Sequence, residues 1–165
     1  MSAPAAQDRI TCHVLDTTAG RPARGLRVRL ELQAPAAAGT TTAASHHGQS
    51  AQPSRTFESQ TDDDGRVRTW LPYSSSNASG EVPVYTLEDV LGTAEGEAGA
   101  AAEGSSTTTT TTTTWTLRFD TEGYFGGPDE TFFPEAAVTF RVAPGQHYHV
   151  PLLLSPYSYT TYRGS

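Results

Sequence analysis

Apolar residues take every second place in Leu26-Arg27-Val28-Arg29-Leu30-Glu31-Leu32, which is the period of a strand with one buried face. The same period recurs in Trp115-Thr116-Leu117-Arg118-Phe119, in Val138-Thr139-Phe140-Arg141-Val142 and in Tyr148-His149-Val150-Pro151-Leu152. No long segment repeats at 3.6 residues, so strands must carry the core. Between these runs lie Thr18-Ala19-Gly20-Arg21-Pro22, Asp62-Asp63-Asp64-Gly65 and Ala143-Pro144-Gly145, whose Gly, Pro and Asp residues suit chain reversals. The pattern predicts an antiparallel β-sandwich. The helix it predicts is one short piece near Asp129-Glu130-Thr131-Phe132-Phe133, closed by Pro134.

Two stretches depart from this pattern. Residues 34–54 are rich in Ala, Gly, Ser and Thr, and residues 92–114 end in eight consecutive threonines. Both read as low-complexity loop expansions of a single domain spanning 1–165. They account for the modest 36% hydrophobic content by diluting a normal core. A length of 165 residues suits one domain, since single domains run to roughly 100–200 residues.

Charge and cysteine content remove several function classes. The net charge is −7, all 11 basic residues are Arg, and no basic run occurs. Nucleic acid is therefore not an expected partner, because neutralising phosphates requires a clustered basic face. Cys12 is the single cysteine, which excludes an intramolecular disulfide scaffold. Met1 to Arg9 holds no apolar run of signal-peptide length and no later segment approaches a membrane span. A cytosolic protein without a membrane partner is the expectation.

In Ile10-Thr11-Cys12-His13-Val14-Leu15-Asp16, alternation puts Cys12 and Val14 on one face and His13 on the other. In the penultimate strand His147 and His149 share a face, opposite Tyr148, Val150, Leu152 and Leu154. After the Asp-Gly turn, Arg66 and Arg68 oppose Val67. His13, Arg66 and His149 can thus all lie outside the hydrophobic interior. Taken singly, each is more often a solvated strand residue than a catalytic one.

His147-x-His149 with His13 offers three imidazoles of the kind that hold catalytic zinc, but same-face histidine pairs are common on strands. A site without metal or cofactor is favoured. Gln60-x-Asp62-x-Asp64-Gly65 echoes a calcium loop, yet its first ligand position is Gln60 and its twelfth is Leu71. A turn in which Asp side chains cap local amides fits better. His46-His47, within the Ala/Ser/Thr-rich stretch, reads as a pair of solvated loop histidines.

Three blocks taken together resemble the 5-hydroxyisourate hydrolases of the transthyretin-related family. They are Thr11-Cys12-His13-Val14-Leu15-Asp16-Thr17 with Gly20-Arg21-Pro22-Ala23; Thr61-Asp62-Asp63-Asp64-Gly65-Arg66; and Phe132-Phe133-Pro134-Glu135 with His147 through Tyr157. The sequence then runs to Tyr162-Arg163-Gly164-Ser165, the tetrapeptide that separates the hydrolases from hormone-carrying transthyretins. The resemblance covers roughly 10–33, 57–73 and 115–165.

That resemblance implies an all-β, prealbumin-like sandwich of two four-stranded sheets with one short helix. It implies a homotetramer with sites at the dimer–dimer interface, and no cofactor. The implied reaction is hydrolysis of 5-hydroxyisourate to 2-oxo-4-hydroxy-4-carboxy-5-ureidoimidazoline in urate degradation. By the same resemblance His13, Arg66 and His149 are active-site residues, and Tyr162 to Ser165 close the site.

Imidazole suits proton transfer near neutral pH, and the two histidines share that role without a choice of base. Arg66 suits an anionic substrate and a developing oxyanion. Tyr162 can bind substrate through its hydroxyl, and a terminal carboxylate on Ser165 can orient a histidine. Gly126-Gly127-Pro128 falls where the family's helix usually begins, and Gly and Pro there disfavour a helix. Urate degradation can be peroxisomal, but Arg163-Gly164-Ser165 is not a Ser-Lys-Leu type address, so cytosol is preferred over peroxisome. The alternative function is a transthyretin-like carrier of small aromatic ligands.

Overall fold

A computed structural model of the chain describes residues 7–33, 55–73, 85–97 and 112–165. The expansion at 34–54, with His46 and His47, lies outside the described residues, as does 98–111 of the second expansion. The described residues form ten strands and two helices.

One sheet holds β1 (Ile10–Asp16), β2 (Arg21–Pro22), β5 (Arg66–Val67), β9 (Tyr148–Ser155) and β10 (Ser158–Thr161), in the order β10-β9-β1-β2, with β5 also on β1. The other runs β6-β4-β3-β7-β8, from β6 (Leu71–Pro72), β4 (Thr56–Gln60), β3 (Arg27–Leu32), β7 (Thr113–Asp120) and β8 (Glu135–Val142). The two-residue segments β2, β5 and β6 are what extend each sheet to five members.

Alternation decides which faces meet. Ile10, Cys12 and Val14 of β1 and Val150, Leu152 and Leu154 of β9 are buried against Val28 and Leu30 of β3, Phe57 of β4 and Trp115, Leu117 and Phe119 of β7. Complete burial of each large side chain contributes about 1.5–3 kcal/mol before entropy is counted. Trp70 joins this core with its indole N–H donated to the Ile10 carbonyl at 2.8 Å, so its polar atom is satisfied.

Among the described residues every strand pairing is antiparallel except one. β1 and β9 run parallel, in register from Ile10 opposite Tyr148 to Asp16 opposite Leu154. The expected antiparallel sandwich thus holds apart from this one pair. Period-two patterns report faces, not directions, and two strands separated by most of the chain need no hairpin to join them.

The helix expected at Asp129–Phe133 is absent; that segment is turn and irregular backbone. The helix lies earlier, as α2 (Thr121–Phe125). Asp120 caps its start by accepting from the Gly123 N–H at 2.9 Å, and Gly126 ends it in the left-handed region at φ +99°. The Gly-Gly pair therefore marks the helix's end.

A further helix, α1 (Leu87–Glu97), was not expected, and its last six residues fall inside the segment 92–114 assigned to a loop. Leu87, Val90 and Leu91 bury one stripe against the core, while Thr86 and Asp89 cap the first turn reciprocally. Thr113 and Thr114, the end of the threonine run, are already in β7.

Candidate active site

The outer face of the first sheet gathers the predicted residues by register. Thr11 pairs with His149 and His13 with Pro151 across the parallel β1–β9 ladder, while His13 pairs with Arg66 across the antiparallel β1–β5 ladder. Since Cys12, Val67 and Val150 point into the core, Thr11, His13, Arg66 and His149 share the opposite face. The His13 and His149 ring centroids are 6.5 Å apart.

Arg66 is delivered by the acidic turn. Asp62 accepts from the backbone N–H of Asp64 at 3.0 Å and of Arg66 at 2.8 Å, which is the amide-capping turn the sequence predicts. Gly65 follows at φ +72°, and a Cβ there would overlap the Val14 carbonyl oxygen, so this position requires glycine. The Asp62 carboxylate is paired with Arg68. Among the described residues no carboxylate forms an ion pair with Arg66.

Near the C-terminal end the chain packs against His149. Gly164 donates its N–H to the His149 carbonyl at 2.8 Å and forms an antiparallel bridge with it. A Cβ on Gly164 would stand 2.7 Å from Cδ2 of His149 and 3.1 Å from Pro151. The chain packs against the imidazole here, and glycine permits that approach. Arg163 lies over the Tyr148 ring, its guanidinium carbon 5.4 Å from the centroid.

A hollow of ≈ 350 Å³ results, lined by His13, Arg66, His149, Tyr162, Gly164 and Ser165 among others. An adjoining one of ≈ 280 Å³ reaches Thr11, His147 and Tyr148. A larger hollow of ≈ 610 Å³ lies on the other sheet, beside Arg27, Glu58 and Arg118. Arg118 there is already held by Glu31 and Glu135 at 2.8 and 2.6 Å, and that hollow holds no histidine, whereas the first sets two imidazoles beside Arg66.

Electrostatics favour neutral imidazoles. His13 titrates below its ordinary value because burial penalises the cation and Arg66 repels it; a backbone hydrogen bond at Asp64 and the carboxylates of Asp62 and Asp64 oppose this. His149 is also lowered, first by burial, then by the charges of Arg66 and protonated His13.

All five predicted residues, His13, Arg66, His149, Tyr162 and Ser165, thus border one cavity. His147, the third imidazole considered for zinc, is exposed ahead of β9 and lines the adjoining hollow. Two contributors were missed. Thr11 approaches His149 Nδ1 to 2.8 Å, and period two could have put it on His13's face. Gly164 was read as part of a closing segment, but its need to lack a side chain has no local sequence signal.

Comparison with known proteins gives one family. The HIUase/Transthyretin family matches residues 10–164. The 5-hydroxyisourate hydrolase of Mus musculus is 35% identical over 161 residues, covering 94% of each chain. That of Mesorhizobium japonicum is 31% identical over 162 residues, covering 95% of this chain and 92% of the relative. Among solved structures, Klebsiella pneumoniae 5-hydroxyisourate hydrolase aligns with TM-score 0.52 at 20% identity, over 94% of this chain and 97% of that one. Sea bream transthyretin in complex with thyroxine aligns with TM-score 0.55 at 18% identity, over 95% of each. At those identities the two structures bear on the fold alone.

Proposed function

The chain belongs to the HIUase/Transthyretin family, and from that premise we propose that it is the hydrolase that converts 5-hydroxyisourate to 2-oxo-4-hydroxy-4-carboxy-5-ureidoimidazoline in urate degradation. Two curated relatives more than 30% identical over nearly the whole chain are named 5-hydroxyisourate hydrolase. The carrier reading rests on fold likeness at 18% identity. The observation that carries the hydrolase reading is the cavity in which two lowered imidazoles meet a guanidinium free of carboxylate partners among the described residues.

The reaction needs a water deprotonated, an oxyanion stabilised and a ring nitrogen protonated as the C–N bond breaks. A neutral imidazole takes the proton as the water oxygen bonds to a ring carbonyl carbon, then returns it to the departing nitrogen. Arg66 offers paired donors to the urate-like anion and to charge developing on the attacked oxygen. Tyr162 and Ser165 line the same cavity, where a phenol hydroxyl can bind substrate and a carboxylate can orient a histidine. A hollow of ≈ 350 Å³ is within the range that holds small ligands. No step calls on a metal.

Tyr162 is 59% exposed on this face, and we assign the face to contact between copies of the chain in a homotetramer. Light scattering across a dilution series checks that assignment; a monomer at all concentrations refutes it. Cytosol is the proposed compartment, with peroxisome the alternative; among the described residues no helix is long and apolar enough to cross a membrane.

The decisive assay follows ultraviolet absorbance of 5-hydroxyisourate made in situ from urate and urate oxidase. The protein should accelerate the decay, and Arg66→Ala should lose about 100-fold or more in kcat/KM. Unchanged spontaneous decay with folded wild-type protein would reject the hydrolase.

A further inference from the structure

Thr11 is buried, 6% exposed, and its hydroxyl oxygen has two neighbours. Nδ1 of His149 lies at 2.8 Å and the Tyr148 carbonyl oxygen at 3.3 Å. The hydroxyl has one proton to give. Given to Nδ1, it leaves the Tyr148 contact without a hydrogen. Given to the Tyr148 carbonyl, it leaves an oxygen lone pair to accept from an Nδ1–H, and both contacts become hydrogen bonds at once. In a buried position the arrangement that satisfies more groups is favoured, because water is not there to compensate.

Resting on the hydrolase reading, we propose that Thr11 is a positioning residue that fixes His149 as its Nδ1–H tautomer, leaving the Nε2 lone pair to take the proton from the attacking water. The placement is set by backbone, since Thr11 and His149 are register partners in the parallel β1–β9 ladder. The opposite constraint comes from Gly164, whose α-carbon packs near the Cδ2 edge of the same ring. Held on two edges, the imidazole has little freedom to rotate. Among the described residues Nε2 has no hydrogen-bond partner, and His149 lines the cavity shared with His13 and Arg66. In the step itself the water O–H bond breaks toward Nε2 as its oxygen bonds to the carbonyl carbon. The imidazolium then releases that proton to the ring nitrogen as the C–N bond opens, and atoms and charge balance with one water consumed.

The test compares Thr11→Val, nearly isosteric but without the hydroxyl, with Thr11→Ser, which keeps it. The tautomer of His149 is read by long-range proton–nitrogen correlation on protein labelled with 15N-histidine, at a pH where the ring is neutral. Wild type and Thr11→Ser should hold the proton on Nδ1. Thr11→Val should mix the two tautomers and lower kcat by about 10- to 100-fold, with KM within about twofold. An Nε2–H tautomer in the wild type overturns the proposal, and so does wild-type kcat in folded Thr11→Val. Should Thr11→Val not fold, the wild-type and Thr11→Ser spectra still decide. If wild type fails to hydrolyse 5-hydroxyisourate while the tautomer depends on the hydroxyl, the hydrolase reading is lost and control of His149 by Thr11 stands.

Discussion

His13 and Arg66 face each other as Cα partners across the β1–β5 pair, so a guanidinium cation is tied to one imidazole by backbone register and lowers the titration of both histidines. Removing the cation should reverse that part of the effect. In Arg66→Ala both His13 and His149 should titrate at higher pH than in wild type, as followed by the pH dependence of their ring proton resonances. Unmoved midpoints would mean that burial alone lowers them.

On the proposed mechanism, proton transfer by neutral imidazoles sets the pH profile. Because both histidines are held below their ordinary value of 6.5, kcat/KM should stay level through neutral pH. Its acid midpoint should lie below 6.5 and belong to the pair rather than to one ring. The same shift acts on stability: the unfolded chain binds protons first as pH falls, so these two groups favour folding above pH 6.5 and lose that contribution as pH drops through the window. Denaturant titrations at pH 7.5 and 5.5 give the sign.

Gly65→Ala combines a left-handed backbone with a collision at the Val14 carbonyl. The turn would have to move, weakening the 2.8 Å bond from the Val14 N–H to the Gly65 carbonyl and displacing Arg66. A loss of about 3 kcal/mol in urea unfolding, with a fall in kcat/KM, is the expected outcome.

Gly164→Ala should separate activity from stability. Its methyl would press on the His149 ring at 2.7 Å, in a segment near the chain's end that is not part of the buried core. We expect kcat to fall by about 10- to 100-fold while the thermal midpoint stays within a few degrees. Equal losses in both would show that the segment holds the fold together.

The buried faces of the longer strands were legible locally, while β4 and β10 carried no comparable pattern. Period two in Leu26–Leu32 and Trp115–Phe119 required one buried side, and the side it names is the one that packs. The turn at Asp62–Gly65 was equally legible, because the Asp side chain and the positive-φ glycine act within a few residues. The short helix lies before the predicted Asp129–Phe133 segment, because the Asp120 cap and the Gly126 stop set its ends. Helix α1 was hidden by its small-residue surroundings, although Leu87, Val90 and Leu91 carry a helical spacing.

Whatever depends on distance along the chain comes from how the two sheets pack. Alternation could put His13, Arg66 and His149 outside the core but could not bring them together, and their grouping by resemblance had no geometry behind it. The parallel pairing of β1 with β9 supplies it, since that register sets Thr11 beside His149 and leaves His13 one step along the same face. The bridge from Gly164 to His149 then covers the ring. Side-chain period is a local consequence of strand geometry, whereas strand partner and direction are chosen by burial summed over both sheets, which no single segment of sequence contains.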